Sequence, residues 1–188
     1  MCCGCARYSF HLQLAGAKIM PIDKATNPHD THVPVVSMDL ASPADQALLM
    51  SKARAHEFDY VHAAPPCGTS TRARDKRVPL WLQRLGAPDP KPLRSTLEPE
   101  GVQGLTPYNR MKVELANSIY KFLAAFFMLC SSLGILWSCE NPLRSYLWEL
   151  LCWKQLIALP STMFVDCACC MWGGTRPKIS RWSQMQLA

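Results

Sequence analysis

Residues 106–142 read TPYNRMKVELANSIYKFLAAFFMLCSSLGILWSCENP, and this stretch decides the fold. Thr106-Pro107 is a typical helix start, and the sequence after it predicts a helix to about residue 133. The centre of that helix, residues 122–130, is apolar on all sides, and polar residues and Gly134 interrupt the apolar run before residue 137. A buried helix followed by a strand at 135–139 is therefore favoured over a membrane span.

Working outward, short apolar runs alternate with helical segments. Residues 18–23, 35–39 and 60–64 are predicted strands, and residues 42–55 are a predicted helix that opens with Ser42-Pro43. This alternation predicts an α/β domain with a mainly parallel sheet. Ligands of such sheets bind beyond the carboxyl ends of the strands. Those ends carry Asp23, Asp39, Pro65-Pro66-Cys67 and Glu140-Asn141-Pro142.

The composition limits the class of protein. The chain has 188 residues, of which 49% are apolar and 18% charged, so disorder is excluded for most of its length and one domain is expected. It opens with MCCGCARYSF, which lacks the pattern of a signal peptide, so its ten cysteines predict an intracellular, reducing location, with the nucleus as one option. Most cysteines are interpreted as small buried apolar residues. An alternative is a four-thiolate metal site formed by Cys2, Cys3, Cys5, Cys167, Cys169 and Cys170 in some combination.

The positive charge is concentrated in one segment. The net charge is +6, and residues 72–94 contribute +5 of it through seven cations and two carboxylates. This segment belongs to a Pro-rich basic loop at 65–107, which holds eight of the fifteen prolines. Long irregular loops inside domains tend to be functional. The loop predicts either a solvated surface or a patch that contacts phosphate.

Two residues are candidates for chemistry. Cys67 follows two prolines that stiffen the backbone, and the arginines after it favour a thiolate nucleophile. Glu140 follows an apolar strand, where partial desolvation favours a carboxyl that donates a proton. The structural alternatives are a cysteine in a Pro-rich turn and an acid at a helix N-terminus.

Together these motifs resemble a known family. Pro65-Pro66-Cys67 and Glu140-Asn141-Pro142 look like the Pro-Cys and Glu-Asn motifs of the cytosine-C5 DNA methyltransferases. The sequences CCGCARYS (residues 2–9) and LQLAG (residues 12–16) resemble that family's first, glycine-rich motif, and GTRPK (residues 174–178) resembles its Gln-x-Arg-x-Arg motif. The resemblance covers residues 2–181. It implies a Rossmann-like, S-adenosylmethionine-dependent methyltransferase fold in a single domain, residues 1–188.

The resemblance also implies an activity, the transfer of a methyl group from S-adenosylmethionine to C5 of cytosine in DNA, with RNA as the less favoured alternative. The Cys67 thiolate would add to C6 of a flipped-out base, and Glu140 would hold or protonate N3. Asn141 would brace the Pro-Cys loop, and Arg176 would contact the base or a phosphate. The implied cofactor-binding residues are Gly4, Ala6, Ser9, Asp23, Asp39 and Pro65, and the implied nucleic-acid contacts are Arg72, Arg74, Lys76, Arg77 and Lys178.

The chain departs from the family pattern at both ends. No strand precedes residue 2, so the sheet is expected to be incomplete at its N-terminal strand, and Cys2 and Ala6 stand where the family has an aromatic residue and a glycine. No target-recognition domain is expected. The alternative function is a non-catalytic nucleic-acid-binding remnant of such an enzyme. The chain is expected to be a monomer with no membrane partner, and its methyltransferase-like site to use no metal.

Overall fold

The chain folds into two small sheets with helices on both faces, in a computed structural model that describes residues 1–168 and 179–185. The helices are α1 (Arg7–Leu14), α2 (Pro43–Arg54), α3 (Leu80–Arg84), α4 (Pro107–Ser132) and α5 (Leu151–Ile157), with single 3-10 turns at Arg72–Asp75 and Tyr146–Glu149. The strands are β1 (Ile22–Asp23), β2 (Val36–Ser37), β3 (Tyr60–Ala63), β4 (Leu136–Pro142), β5 (Thr162–Ala168) and β6 (Ile179–Met185).

Local signals placed the central elements correctly. The Ser42 hydroxyl accepts the Asp45 N–H and caps α2, and the Thr106 hydroxyl accepts the Asn109 N–H and caps α4. The predicted helices at 42–55 and 106–133 and the predicted strand at 60–64 are therefore confirmed. The strands predicted at 18–23 and 35–39 shrink to two residues each, and β4 extends three residues beyond the predicted end.

The predicted mainly parallel, Rossmann-like sheet is wrong. The larger sheet has the order β3-β4-β6-β5, and in it β3 and β4 are parallel, whereas β6 runs antiparallel to both β4 and β5. Only ten residues separate β5 from β6, fewer than a parallel crossover needs, so β6 returns antiparallel. β1 and β2 pair in parallel as a separate two-stranded sheet.

The core lies on the face of the larger sheet that α4 covers. This helix packs against α2, α5 and β4. Phe126, Phe127, Trp137 and Trp153 are all at most 1% exposed, and Phe127 stacks on Trp137 with ring centroids 4.7 Å apart. By length and composition α4 could cross a membrane, but 56% of its most apolar window is buried inside the protein, as in a core helix.

A second cluster covers the other face of β3 and β4. The His62 ring lies between Tyr8 of α1 and Trp182 of β6, with centroid distances of 4.7 and 4.9 Å. Its Nδ1 is 2.8 Å from the Ser138 hydroxyl, which also contacts the Tyr60 hydroxyl at 2.5 Å. Burial lowers the pKa of His62 to about 3, helped by the nearby N-terminal ammonium group. The imidazole is therefore neutral at physiological pH.

Candidate functional site

The loop that carries Cys67 begins directly after β3. Its turn is closed by the Cys67 carbonyl, which accepts the N–H groups of Ser70 and Thr71 at 3.0 and 2.8 Å. The loop is tied to the core by Tyr120 of α4, whose hydroxyl donates to the Pro66 carbonyl and lies 3.0 Å from the Ser70 hydroxyl. Ser145 Oγ donates to Ser70 Oγ at 2.9 Å from the segment after β4. The half-buried Cys67 thiol is thus mounted on backbone that two other elements hold in place.

Asn141 joins this loop to β4. Its Nδ2 donates to the Pro65 carbonyl at 3.1 Å, and its side chain is fully buried. Glu140 lies one residue earlier, inside the paired strand rather than beyond its end, opposite Trp182 of β6. Because successive side chains of a strand face opposite sides, Glu140 shares its face with Ser138 while Asn141 faces the core. The structure therefore places Cys67 in the loop beyond the carboxyl end of β3, and Glu140 within the last three residues of the neighbouring parallel strand β4.

The glycine-rich loop of the implied cofactor site is hydrogen-bonded to Asp23 and Asn27. Both oxygens of Asp23 accept backbone N–H groups, from Gly4 at 2.9 Å and Lys24 at 2.8 Å. Asn27 donates its side-chain amide to the Gly4 carbonyl at 2.7 Å, and a Cβ on Gly4 would lie 3.8 Å from the His29 ring. Residues 27–32 thus lie against the glycine-rich loop.

The other implied cofactor residues lie on segments around this loop. The Met38 N–H, one residue before Asp39, donates to the Asp23 carbonyl, and the Ala64 N–H, one residue before Pro65, donates to the Met1 carbonyl. Ala6 is fully buried in the left-handed region at φ 55°, a conformation that suits the glycine of the family motif and strains an alanine. Ser9 lies on α1. Asp39 is exposed, and its carboxylate accepts the Ala41 N–H at 2.9 Å. Pro65 is buried and its carbonyl is bonded to Asn141.

Three arginines of the basic segment brace the loop internally. Arg72 donates to the Arg144 carbonyl and lies 4.6 Å from the Tyr146 ring centroid, and Arg74 donates to the Gly68 carbonyl. Arg94 is only 1% exposed and makes four hydrogen bonds with the chain around it. Its charge is therefore not available to a partner, a role that the sequence did not predict.

The remaining cations of the segment face solvent. Lys76, Arg77, Arg84 and Lys91 are exposed, and none of them makes an ion pair within the part of the chain described. Between Arg77 and Arg84, the ring of Trp81 on α3 is 62% exposed. An exposed aromatic ring among free cations is the combination that stacks on bases and contacts phosphates. The position of Trp81 between Arg77 and Arg84 is visible in the sequence, but the sequence analysis does not predict its role.

A small polar cavity of about 340 Å³ lies beside the segment after β4. Arg72, Arg144 and Arg181 line it together with Glu149. Arg181 is held by Asp166 in a two-pronged ion pair of 2.8 and 2.9 Å, whereas Arg144 is exposed. The cavity therefore offers the exposed guanidinium of Arg144 next to two guanidinium groups that already make hydrogen bonds or an ion pair.

Two predicted contacts and part of the metal hypothesis lie outside the described residues. These are Arg176 and Lys178, and Cys169 and Cys170 of the possible four-thiolate site. Among residues 1–168 and 179–185, no three His, Cys, Asp or Glu side chains are grouped to hold a metal ion. Cys2 is half-buried, and desolvation raises the pKa of its thiol to about 11.

Comparison with known proteins finds no match for this chain among family models, curated proteins or solved structures.

Proposed function

We propose that the protein binds nucleic acid, DNA before RNA, through the exposed basic surface formed by Lys76, Arg77, Arg84, Lys91 and the Trp81 ring. The observation that carries the proposal is the solvent-facing Trp81 ring between Arg77 and Arg84. These four cations have no acidic partner among residues 1–168 and 179–185, so they can contact phosphates and release counterions. The indole supplies a stacking surface that any base can use. Because bases of a duplex are already stacked, single strands are the favoured substrate.

Removal of the Trp81 ring tests the stacking half of this proposal. We expect Trp81→Ala to weaken binding of a labelled single-stranded oligonucleotide by roughly 5- to 150-fold, since stacking of one base contributes about 1–3 kcal/mol. Duplex binding should change much less. Fluorescence anisotropy at low salt measures both, and equal losses for the two substrates would contradict stacking.

Removal of charge tests the phosphate half with the same assay. The plot of log affinity against log salt concentration has a slope that reports how many phosphates the protein neutralises. For a single strand, the double variant Arg77→Gln/Arg84→Gln is expected to reduce the magnitude of that slope by about 0.7 for each phosphate contact that is lost. The matched control is Lys18→Gln/Arg54→Gln, which removes the same charge from exposed positions outside the segment. If the control weakens binding as much as the test variant, binding depends on the net charge of the protein and not on the positions of Arg77 and Arg84.

A second function, that Cys67 adds covalently to cytosine in DNA, is favoured by the Asn141–Pro65 hydrogen bond. That bond fixes the Cys67 loop to the strand that carries Glu140. In this step the thiolate sulfur forms a bond to C6, the C5–C6 π pair moves toward N3, and N3 takes a proton from Glu140. In the family this addition prepares C5 for methylation; without a methyl donor it reverses by losing the thiolate.

Trapping of the adduct checks this second function without a methyl donor. DNA that carries pyrimidin-2-one in place of cytosine lacks the amine at C4 and adds thiols more readily. We expect a protein–DNA band that survives denaturation and is lost in Cys67→Ser. Cys152→Ser, at another half-buried thiol, is the control and should keep the band. A band that persists in Cys67→Ser would exclude this residue as the nucleophile.

A further inference from the structure

The polar cavity of about 340 Å³ beside the segment after β4 brings together three arginine side chains from separate parts of the chain. Arg72 begins a 3-10 turn, Arg144 lies directly after β4, and Arg181 lies on β6. Neither Cys67 nor Glu140 lines this cavity, so it is separate from the residues of the covalent step above. Because like charges repel, an anion bound between the three guanidinium groups would relieve an unfavourable interaction.

The guanidinium group of Arg72 is fixed before any ligand binds. Its Nε donates to the Arg144 carbonyl at 3.1 Å, its Nη2 donates to the Thr96 hydroxyl at 3.3 Å, and the group lies 4.6 Å from the centroid of the Tyr146 ring. Its Nη1 makes no hydrogen bond within residues 1–168 and 179–185, so this nitrogen can donate to an anion. Since Arg72 has already lost its rotamer freedom on folding, its contact with an anion carries little further entropy cost.

The charges around the cavity leave two cations uncompensated. Two ion pairs are close to neutral in themselves, and they are Arg181–Asp166 at 2.8 Å and Lys154–Glu149 at 3.1 Å. Arg72 and Arg144 have no carboxylate within ion-pair distance in the part of the chain described. Asp75, on the same turn as Arg72, accepts the Tyr146 hydroxyl at 2.8 Å and does not line the cavity. A phosphate on a single ester bond carries a charge of about −1.5 to −2 at neutral pH, so it matches two cations better than a singly charged diester does.

The rest of the lining suits the carbon skeleton of a sugar. The cavity volume lies within the usual range for small-molecule sites, about 300–1,000 Å³, so there is room for more than a phosphate group. Leu143 and Trp148 supply apolar surface, and the indole of Trp148 is fixed by its hydrogen bond to the Pro142 carbonyl at 3.0 Å. The Glu149 carboxylate also lines the cavity and can accept a hydrogen bond from a sugar hydroxyl.

We propose that this cavity binds a sugar phosphate, with the monoester phosphate between Arg72, Arg144 and Arg181 and the sugar against Trp148. A free nucleotide and the 5′-terminal phosphate of a nucleic-acid strand both present this group. The Cα atoms of Arg72 and Arg77 lie within roughly 18 Å of each other, so one strand can reach both this cavity and the basic surface. The strand as a source rests on the proposed function, whereas the cavity as a phosphate site does not.

Calorimetry with small ligands tests the site itself. We expect saturable 1:1 binding of deoxycytidine monophosphate, no binding of deoxycytidine, and about tenfold weaker binding of the cyclic monophosphate, which is a diester. Absence of monophosphate binding would overturn the site. Equal affinity for the cyclic diester would overturn the preference for a doubly charged phosphate.

Single-stranded oligonucleotides with and without a 5′-terminal phosphate distinguish the two sources. If the strand end is the ligand, the phosphate should strengthen binding about tenfold in fluorescence anisotropy. If it changes nothing while the free monophosphate binds, the cavity is a site for free nucleotides. Failure of the proposed function would remove the Trp81-dependent binding of the unphosphorylated strand and leave monophosphate binding intact. Failure of the cavity would do the reverse.

Two exposed arginines provide a matched pair of variants. Arg144→Gln removes a cation that lines the cavity, whereas Arg110→Gln removes the same charge from α4, outside the lining. Only Arg144→Gln should weaken monophosphate binding, by about tenfold, with circular dichroism as the check on folding. Unchanged affinity in Arg144→Gln, or equal losses in both variants, would place the phosphate elsewhere.

Discussion

Acidification from pH 6.5 to pH 4 is expected to remove on the order of 3 kcal/mol of stability through His62 alone. The folded imidazole has a pKa of about 3, whereas an unfolded histidine has a pKa near 6.5. Between these values the unfolded chain holds more protons at this residue, so the free energy of unfolding falls as the pH falls. Above pH 6.5 His62 is neutral in the folded and the unfolded chain, so none of this stability is lost.

His62→Phe isolates this effect from the titration of carboxylates. Phenylalanine keeps a ring between Tyr8 and Trp182 but cannot take up a proton. Urea unfolding at several pH values should give a much flatter pH dependence for this variant than for the unsubstituted chain, while the exposed-site control His11→Gln keeps the original slope. Parallel curves for all three proteins would show that His62 does not titrate in this way.

Arg94→Met is expected to lower the free energy of unfolding by about 3–5 kcal/mol. Methionine keeps the apolar stem but removes the guanidinium, which donates to the Pro99 carbonyl and the Asn117 side chain at 2.6 Å each. Buried acceptors left without a donor carry the full cost of their desolvation. The segment between α3 and α4 loses part of its attachment to α4 at the same time, while the bonds of Glu100 to Asn117 and Lys121 remain.

Denaturant unfolding measures this change, and Lys91→Met is the control, since it removes an exposed cation of the same segment. Hydrogen exchange should show faster opening of residues 93–102 in Arg94→Met. A loss below about 1 kcal/mol would mean that water replaces the guanidinium without difficulty.

Much of the fold could be predicted because its helices are encoded by local sequence patterns. The caps at Ser42 and Thr106 and the apolar run of α4 depend on neighbouring residues only, so they could be recognised in the chain. The direction of β6 depends on the short connection from β5 and on pairing with β4, which is far away in sequence. No local pattern encodes such pairing, and the parallel sheet was predicted wrongly for that reason.

Some residues of the candidate site could also be predicted from the sequence, and others could not. Asn141 was predicted to brace the Pro-Cys loop, and the structure places its amide on the Pro65 carbonyl. The sequence grouped Arg94 with the basic surface because charge alone does not indicate burial. Trp81 was overlooked, although its position between two arginines was visible.

The support of the Cys67 loop by the core bears on how this protein can change by mutation. The Trp153 indole donates to the Tyr120 carbonyl, and the Tyr120 hydroxyl in turn donates to Pro66, so the loop's shape depends on residues that folding itself requires. The hydrogen bonds that close the turn at Cys67 all use its backbone carbonyl, and its thiol contributes to none of them. Purifying selection for a folded chain is therefore enough to preserve the loop's shape, whereas only selection for chemistry would preserve the sulfur.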